Sequence, residues 1–133
     1  MTWLHLIDFG LLVLIWAVQL LVYPSFKYLS SSALLQWHRI YTPAITVIVM
    51  PLMVPQVVLH VLRLYGDFSW AHALLMLMVL STWISTFIIF VPLHHIINSN
   101  DASPKTLDKL IAYNWVRTAL WTVIFLVGVI SDT

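Results

Sequence analysis

The side chains best equipped for chemistry in this chain flank one turnaround. Between Phe90 and Thr118 an apolar run closes on Val91-Pro92, and a tandem His94-His95 follows at once. After a short polar link, Asn114-Trp115-Val116-Arg117 opens the next apolar run. Imidazole titrates near neutrality, so it serves as a proton acceptor, a proton donor or a metal ligand. A guanidinium keeps its charge and offers a fork of donors to an oxyanion. His38, earlier in the chain, adds another imidazole. One chemistry these residues suit is proton abstraction by His38 or His94, with Arg117 and Asn114 stabilising the anion produced. A second is ligation of haem or a metal by His38 with His94 or His95. Other chemistries are excluded by composition. There is no Cys, which removes thiol catalysis and Cys-ligated metals, and only three Gly, with no Gly-rich phosphate loop. There is no Glu, which removes a Glu-x-x-His di-iron site.

The elements that must carry these groups are apolar. The chain is 62% hydrophobic and 8% charged, whereas soluble domains carry about 25% charged residues. Four apolar stretches, about 4–24, 43–64, 70–91 and 111–130, each approach the ~20 residues that cross a hydrocarbon core. They predict an all-α integral membrane protein, one domain over residues 1–133, arranged as an up-down-up-down bundle of four transmembrane helices. Leu4 to Tyr23 reads as a retained span, because no basic segment precedes it and no cleavage site follows. A serine cap is expected to start the second helix near Ser31 or Ser32, and Asp67 or Ser69, and Ser103 before Pro104, are the expected caps of the third and fourth. Pro43, Pro51 and Pro55 predict a kinked second helix. No internal repeat stands out.

Loop charge sets the expected orientation. Lys27, Arg39, Lys105, Lys109 and Arg117 lie in or beside the first and third links, against Arg63 alone on the other side. The positive-inside rule then puts both termini outside a cell membrane crossed several times. Membrane lipids are the expected surroundings. A net charge of +1 gives no reason to expect a nucleic-acid partner. The hydroxyl face Ser81, Thr82, Ser85 and Thr86 suits close helix packing, within the bundle or in an oligomer.

Helical spacing gathers the polar residues into stripes. Asp8, Leu12, Trp16, Gln19 and Tyr23 share one face, as do His38, Thr42, Thr46, Met53, Gln56 and His60. Trp83, Phe87, Phe90 and His94 form a third, and Asn114, Arg117, Trp121 and Phe125 a fourth. Polar groups at membrane depth turn inward. The expected substrate-binding residues are Gln19, Tyr23, Trp16, Phe90 and Trp121, beside catalytic His38, His94, Arg117 and Asn114. Asp8, His60 and His72 are expected to be solvated or capping groups at the outer ends.

Val91-Pro92-Leu93-His94-His95-Ile96-Ile97 and Asn114-Trp115-Val116-Arg117-Thr118 resemble the segments that close the third helix and open the fourth in anthrone oxygenase-like membrane proteins. Pro24 and the prolines of the second helix match in kind. The family pattern has Asn-Asn-Arg where this chain has His94-His95-Ile96. The resemblance implies a four-helix membrane fold and a site for a flat, lipophilic aromatic molecule near the cytoplasmic face. It also implies oxidation of that molecule without a conventional cofactor. A haem- or metal-binding protein and a non-enzymatic accessory or assembly subunit are the other readings the residues allow.

Overall fold

Each apolar stretch becomes one long helix in the computed structural model, which describes residues 2–99 and 102–133. The helices are α1 (Trp3–Tyr28), α2 (Ser31–Gly66), α3 (Trp70–Asn98) and α4 (Pro104–Ser131). No strand occurs among the described residues. All four helices are long and apolar enough to cross a membrane.

A hydroxyl cap starts every one. The side chains of Thr2, Ser30, Ser69 and Ser103 accept from the backbone N–H of His5, Ala33, His72 and Thr106 respectively. Such a cap satisfies one of the donors that a helix start leaves unpaired, and contributes about 1 kcal/mol. The second helix starts at Ser31, as the serine run suggests. It then stays helical through Pro43, Pro51 and Pro55 to Gly66. The hydroxyls of Thr42 and Thr46 donate to the carbonyls of His38 and Thr42 beside the first of these prolines.

Two wide turns interrupt the regularity of α1 and α3. Val18–Val22 and Thr86–Phe90 are π-helical. In each, the residue just before a proline reaches back five positions. Tyr23 N–H donates to the Val18 carbonyl, and Val91 N–H donates to that of Thr86. Pro24 and Pro92 follow with no N–H to give. Turns of this kind concentrate at functional sites.

α1 and α3 share two local features. Thr2-Trp3-Leu4-His5 caps α1 as Ser69-Trp70-Ala71-His72 caps α3. Both helices end in a π-turn followed by proline.

Packing closes the four helices into a ring. α1 and α3 each pack against both α2 and α4. Leu11, Met53, Leu75, Val79 and Ile124 are fully buried between them. The outer surface stays apolar: Val47, Leu77 and Ile130 are 74%, 62% and 69% exposed. A surface of that kind suits hydrocarbon as its solvent, consistent with a membrane protein. The hydroxyl face of α3 bridges nothing. Ser81, Thr82, Ser85 and Thr86 all donate to carbonyls within α3 itself.

Candidate functional site

The π-turn of α1 ends on Tyr23, which is buried. Its hydroxyl lies 3.1 Å from His94 Nε2. His94 Nδ1 lies 2.7 Å from His38 Nε2, and His38 Nδ1 lies 2.7 Å from Asn98 Oδ1. Hydrogen-bond polarity follows from the last link. Asn98 presents an oxygen, so His38 donates from Nδ1 and its Nε2 is an acceptor. His94 must then donate from Nδ1, which leaves its Nε2 to accept from Tyr23. Asn98–His38–His94–Tyr23 is one aligned chain of hydrogen bonds reaching across α3, α2 and α1.

Arg117 stands beside it. Tyr23 and Tyr41 are its near neighbours. Its guanidinium carbon sits 4.2 Å from the centre of the Phe90 ring and 5.1 Å from that of Trp121. Cation–π contacts of this sort contribute about 0.5–2 kcal/mol, more when desolvated. Arg117 is 8% exposed, and its Nε has no hydrogen-bond partner. Among the described residues no carboxylate makes a salt bridge to it. A buried cation without a counter-charge is costly unless something else supplies one.

These groups open on a cavity of about 400 Å³ lined by residues of all four helices, within the range of small-molecule sites. Tyr23, Tyr41, His94 and Arg117 form its polar end, with Phe90 and Trp121 as an aromatic floor. His38 stands behind His94, fully buried. His95 is exposed and borders the cavity.

The remaining sequence-level candidates lie elsewhere. Gln19 and Asn114 bond to each other: Asn114 Nδ2 and Thr118 Oγ1 both donate to Gln19 Oε1, at 2.9 and 3.0 Å. Gln19 Nε2 donates to the Ile111 carbonyl. This is a polar cross-link between α1 and α4, off the cavity wall. Trp16 is half-exposed, packed edge-on against Trp115, and donates to Thr122. Replacing Gln19 or Asn114 by Leu should cost about 1–3 kcal/mol, because the surviving partner stays buried and unpaired. The double replacement should cost less than the sum, a coupling that a double-mutant cycle on thermal unfolding will read.

The haem or metal reading meets a geometric obstacle. All four ring nitrogens of His38 and His94 already face protein partners. Among the described residues no three His or Asp side chains converge on one point.

One polar centre lies outside the cavity, toward the far end of α2. Asp8 and His60 are 1% and 2% exposed, in contrast to the solvated role their positions suggest. Asp8 Oδ1 accepts from Gln56 Nε2 at 2.7 Å, and His60 Nε2 lies 3.3 Å from Asp8 Oδ2. Gln56 Oε1 in turn accepts from the Trp121 indole at 3.2 Å. An indole only donates, so the amide of Gln56 is fixed with its NH₂ toward Asp8. Beyond it His5 Nε2 lies 2.8 Å from Asp132 Oδ2, and Arg63 also pairs with Asp132.

Comparison with known proteins adds no relative. No protein-family model, curated protein or solved structure matches the chain. The functional reading therefore rests on the site: a proton acceptor at the end of an ordered relay, next to an uncompensated cation, in an aromatic-floored cavity.

Proposed function

We propose that the chain is a multi-pass membrane protein that binds a lipophilic aromatic molecule with an acidic or enolisable oxygen, and oxidises it with dioxygen. The observation that carries this reading is Arg117, buried, without a carboxylate, and aimed at the cavity wall it shares with His94. An anion produced in the cavity would supply the missing counter-charge. Four spans in an up-down-up-down bundle account for the apolar outer surface. Lys27, Arg39, Lys105 and Lys109 on one side, against Arg63 alone on the other, favour a cytoplasmic location for the site and outward termini.

The chemistry follows from the relay. Substrate displaces the Tyr23 hydroxyl from His94 Nε2, which accepts a proton from the ring CH₂ of an anthrone-like compound. Arg117 stabilises the enolate oxygen. The carbanion adds to dioxygen, and the peroxide anion takes back the proton held by His94, giving a hydroperoxide and a neutral imidazole. Loss of the second hydrogen from the same carbon breaks the O–O bond, leaving a ketone and one water. The protein's part is to lower the first barrier, as a positioned base and a positioned cation. The likeness of Val91-Pro92 and Arg117-Thr118 to anthrone oxygenase-like proteins supports this substrate class.

His94→Ala should lower turnover of an anthrone by about 10²–10⁴-fold, the usual contribution of a general base. Oxygen uptake by purified protein in lipid nanodiscs measures it. An unchanged rate sinks the base assignment.

A further inference from the structure

The cavity is longer than an aromatic head requires, and its two ends differ. On α2 its wall runs from Tyr41 to Met53, twelve residues and ~18 Å along a helix. Tyr23, Tyr41, His94, Asn98 and Arg117 crowd one end, while the hydroxyls of Thr42, Thr46 and Thr86 along the wall are spent on carbonyls of their own helices. Leu14, Val49, Met50 and Met53 line the other. Methionine suits such a wall, because its unbranched side chain adapts to a flexible guest.

The same cavity reaches the side of the bundle. Phe87 and Val91 of α3 line it while remaining 61% and 52% exposed. Thr46 of α2 does the same from across the seam. These residues lie within the apolar spans, so the opening faces the surrounding hydrocarbon.

We propose that the natural occupant is a single-chain amphiphile, with an oxygen-bearing aromatic head against Arg117 and His94 and an unbranched aliphatic tail lying along α2 toward Met53. It reaches the site sideways from the bilayer, between α2 and α3. This rests on the cavity being the binding site, and adds a tail to the head already described. The head satisfies the lone cation, and the tail occupies the apolar slot that a compact polycycle leaves empty. Drive for the tail comes from close packing, since the bilayer it leaves is equally apolar.

Two probes separate the parts: para-ethylphenol, which is nearly all head, and para-dodecylphenol, which carries the tail. Binding is measured by tryptophan fluorescence in nanodiscs at matched mole fraction in the lipid. Met53→Trp fills the slot from α2, and Leu14→Trp fills it from α1. Each should weaken para-dodecylphenol at least tenfold and leave para-ethylphenol within twofold of wild type. Retained para-ethylphenol binding also shows that the variant is folded; should one variant misfold, the other carries the test. Equal wild-type affinity for the two phenols, with neither variant discriminating, overturns the tail and leaves the head site standing. Failure of both phenols to bind wild type overturns the head site and the tail together.

Discussion

Arg117→Met should lower turnover by about 10²–10³-fold and make the protein more stable. The two effects have one cause. The guanidinium is 8% exposed, rests on Phe90 and Trp121, lacks a partner at Nε and has no carboxylate beside it. Burying such a charge opposes folding, and replacing a buried ionic group by an apolar one of similar size is often stabilising by about 1–4 kcal/mol. Methionine keeps contact with the two rings through its thioether. Catalysis loses the group that meets the developing oxyanion, a loss of about 10²–10³-fold for one such donor. Arg117→Lys keeps the charge without the fork and should fall between the two. Thermal unfolding and oxygen uptake on the same preparations read both effects. A variant that is less stable and fully active contradicts the assignment, because it would make Arg117 a structural group.

The second large effect has the opposite character. Asp8→Ala should destabilise the fold by about 1–3 kcal/mol for each buried polar partner it leaves unpaired. Asp8 Oδ1 accepts from Gln56, and Oδ2 faces His60 at 3.3 Å, all three side chains being fully buried. Removing the carboxylate strands an amide and an imidazole in the bundle. Asp8→Asn retains an acceptor for Gln56 and should cost clearly less. Because Gln56 also holds the indole of Trp121, the folded fraction of Asp8→Ala should show a modest loss of turnover. Thermal unfolding of Asp8→Ala, His60→Ala and the double variant tests the pair. Additive costs would show that Asp8 and His60 do not interact.

Much of the fold is legible in the sequence because its signals are local. Hydropathy marks four stretches, and a serine or threonine stands just ahead of each helix. The cap at Ser103 followed by Pro104 needs no tertiary information. The site is legible only in part, because side chains on one helix face meet different neighbours. Asn114 shares a face with Arg117, yet Asn114 turns to Gln19 while Arg117 turns to Phe90. Trp16 falls on the stripe of Gln19 and Tyr23. However, α1 packs against two helices, and Trp16 lies at the outer margin of its contact with α4, on Trp115 and Thr122. The π-turns also shift the register of everything after them, a displacement that an ideal 3.6-residue period cannot carry. Asp8 reads as an outer-end group because its partners, Gln56 and His60, are about fifty residues away in the chain. Pro24 and Pro92 were the readable signals for the π-turns.

The central claim is that the cavity holds an acidic lipophile as its anion, against Arg117. A nitrophenol bearing an alkyl chain reports this directly, since its phenolate absorbs in the visible and its phenol does not. Titrated into wild-type protein in nanodiscs at a pH below the free phenol's own ionisation, it should give one phenolate band that saturates at one equivalent. Arg117→Met should give none. A band of equal size in both proteins, or no saturable band in the wild type, contradicts the account.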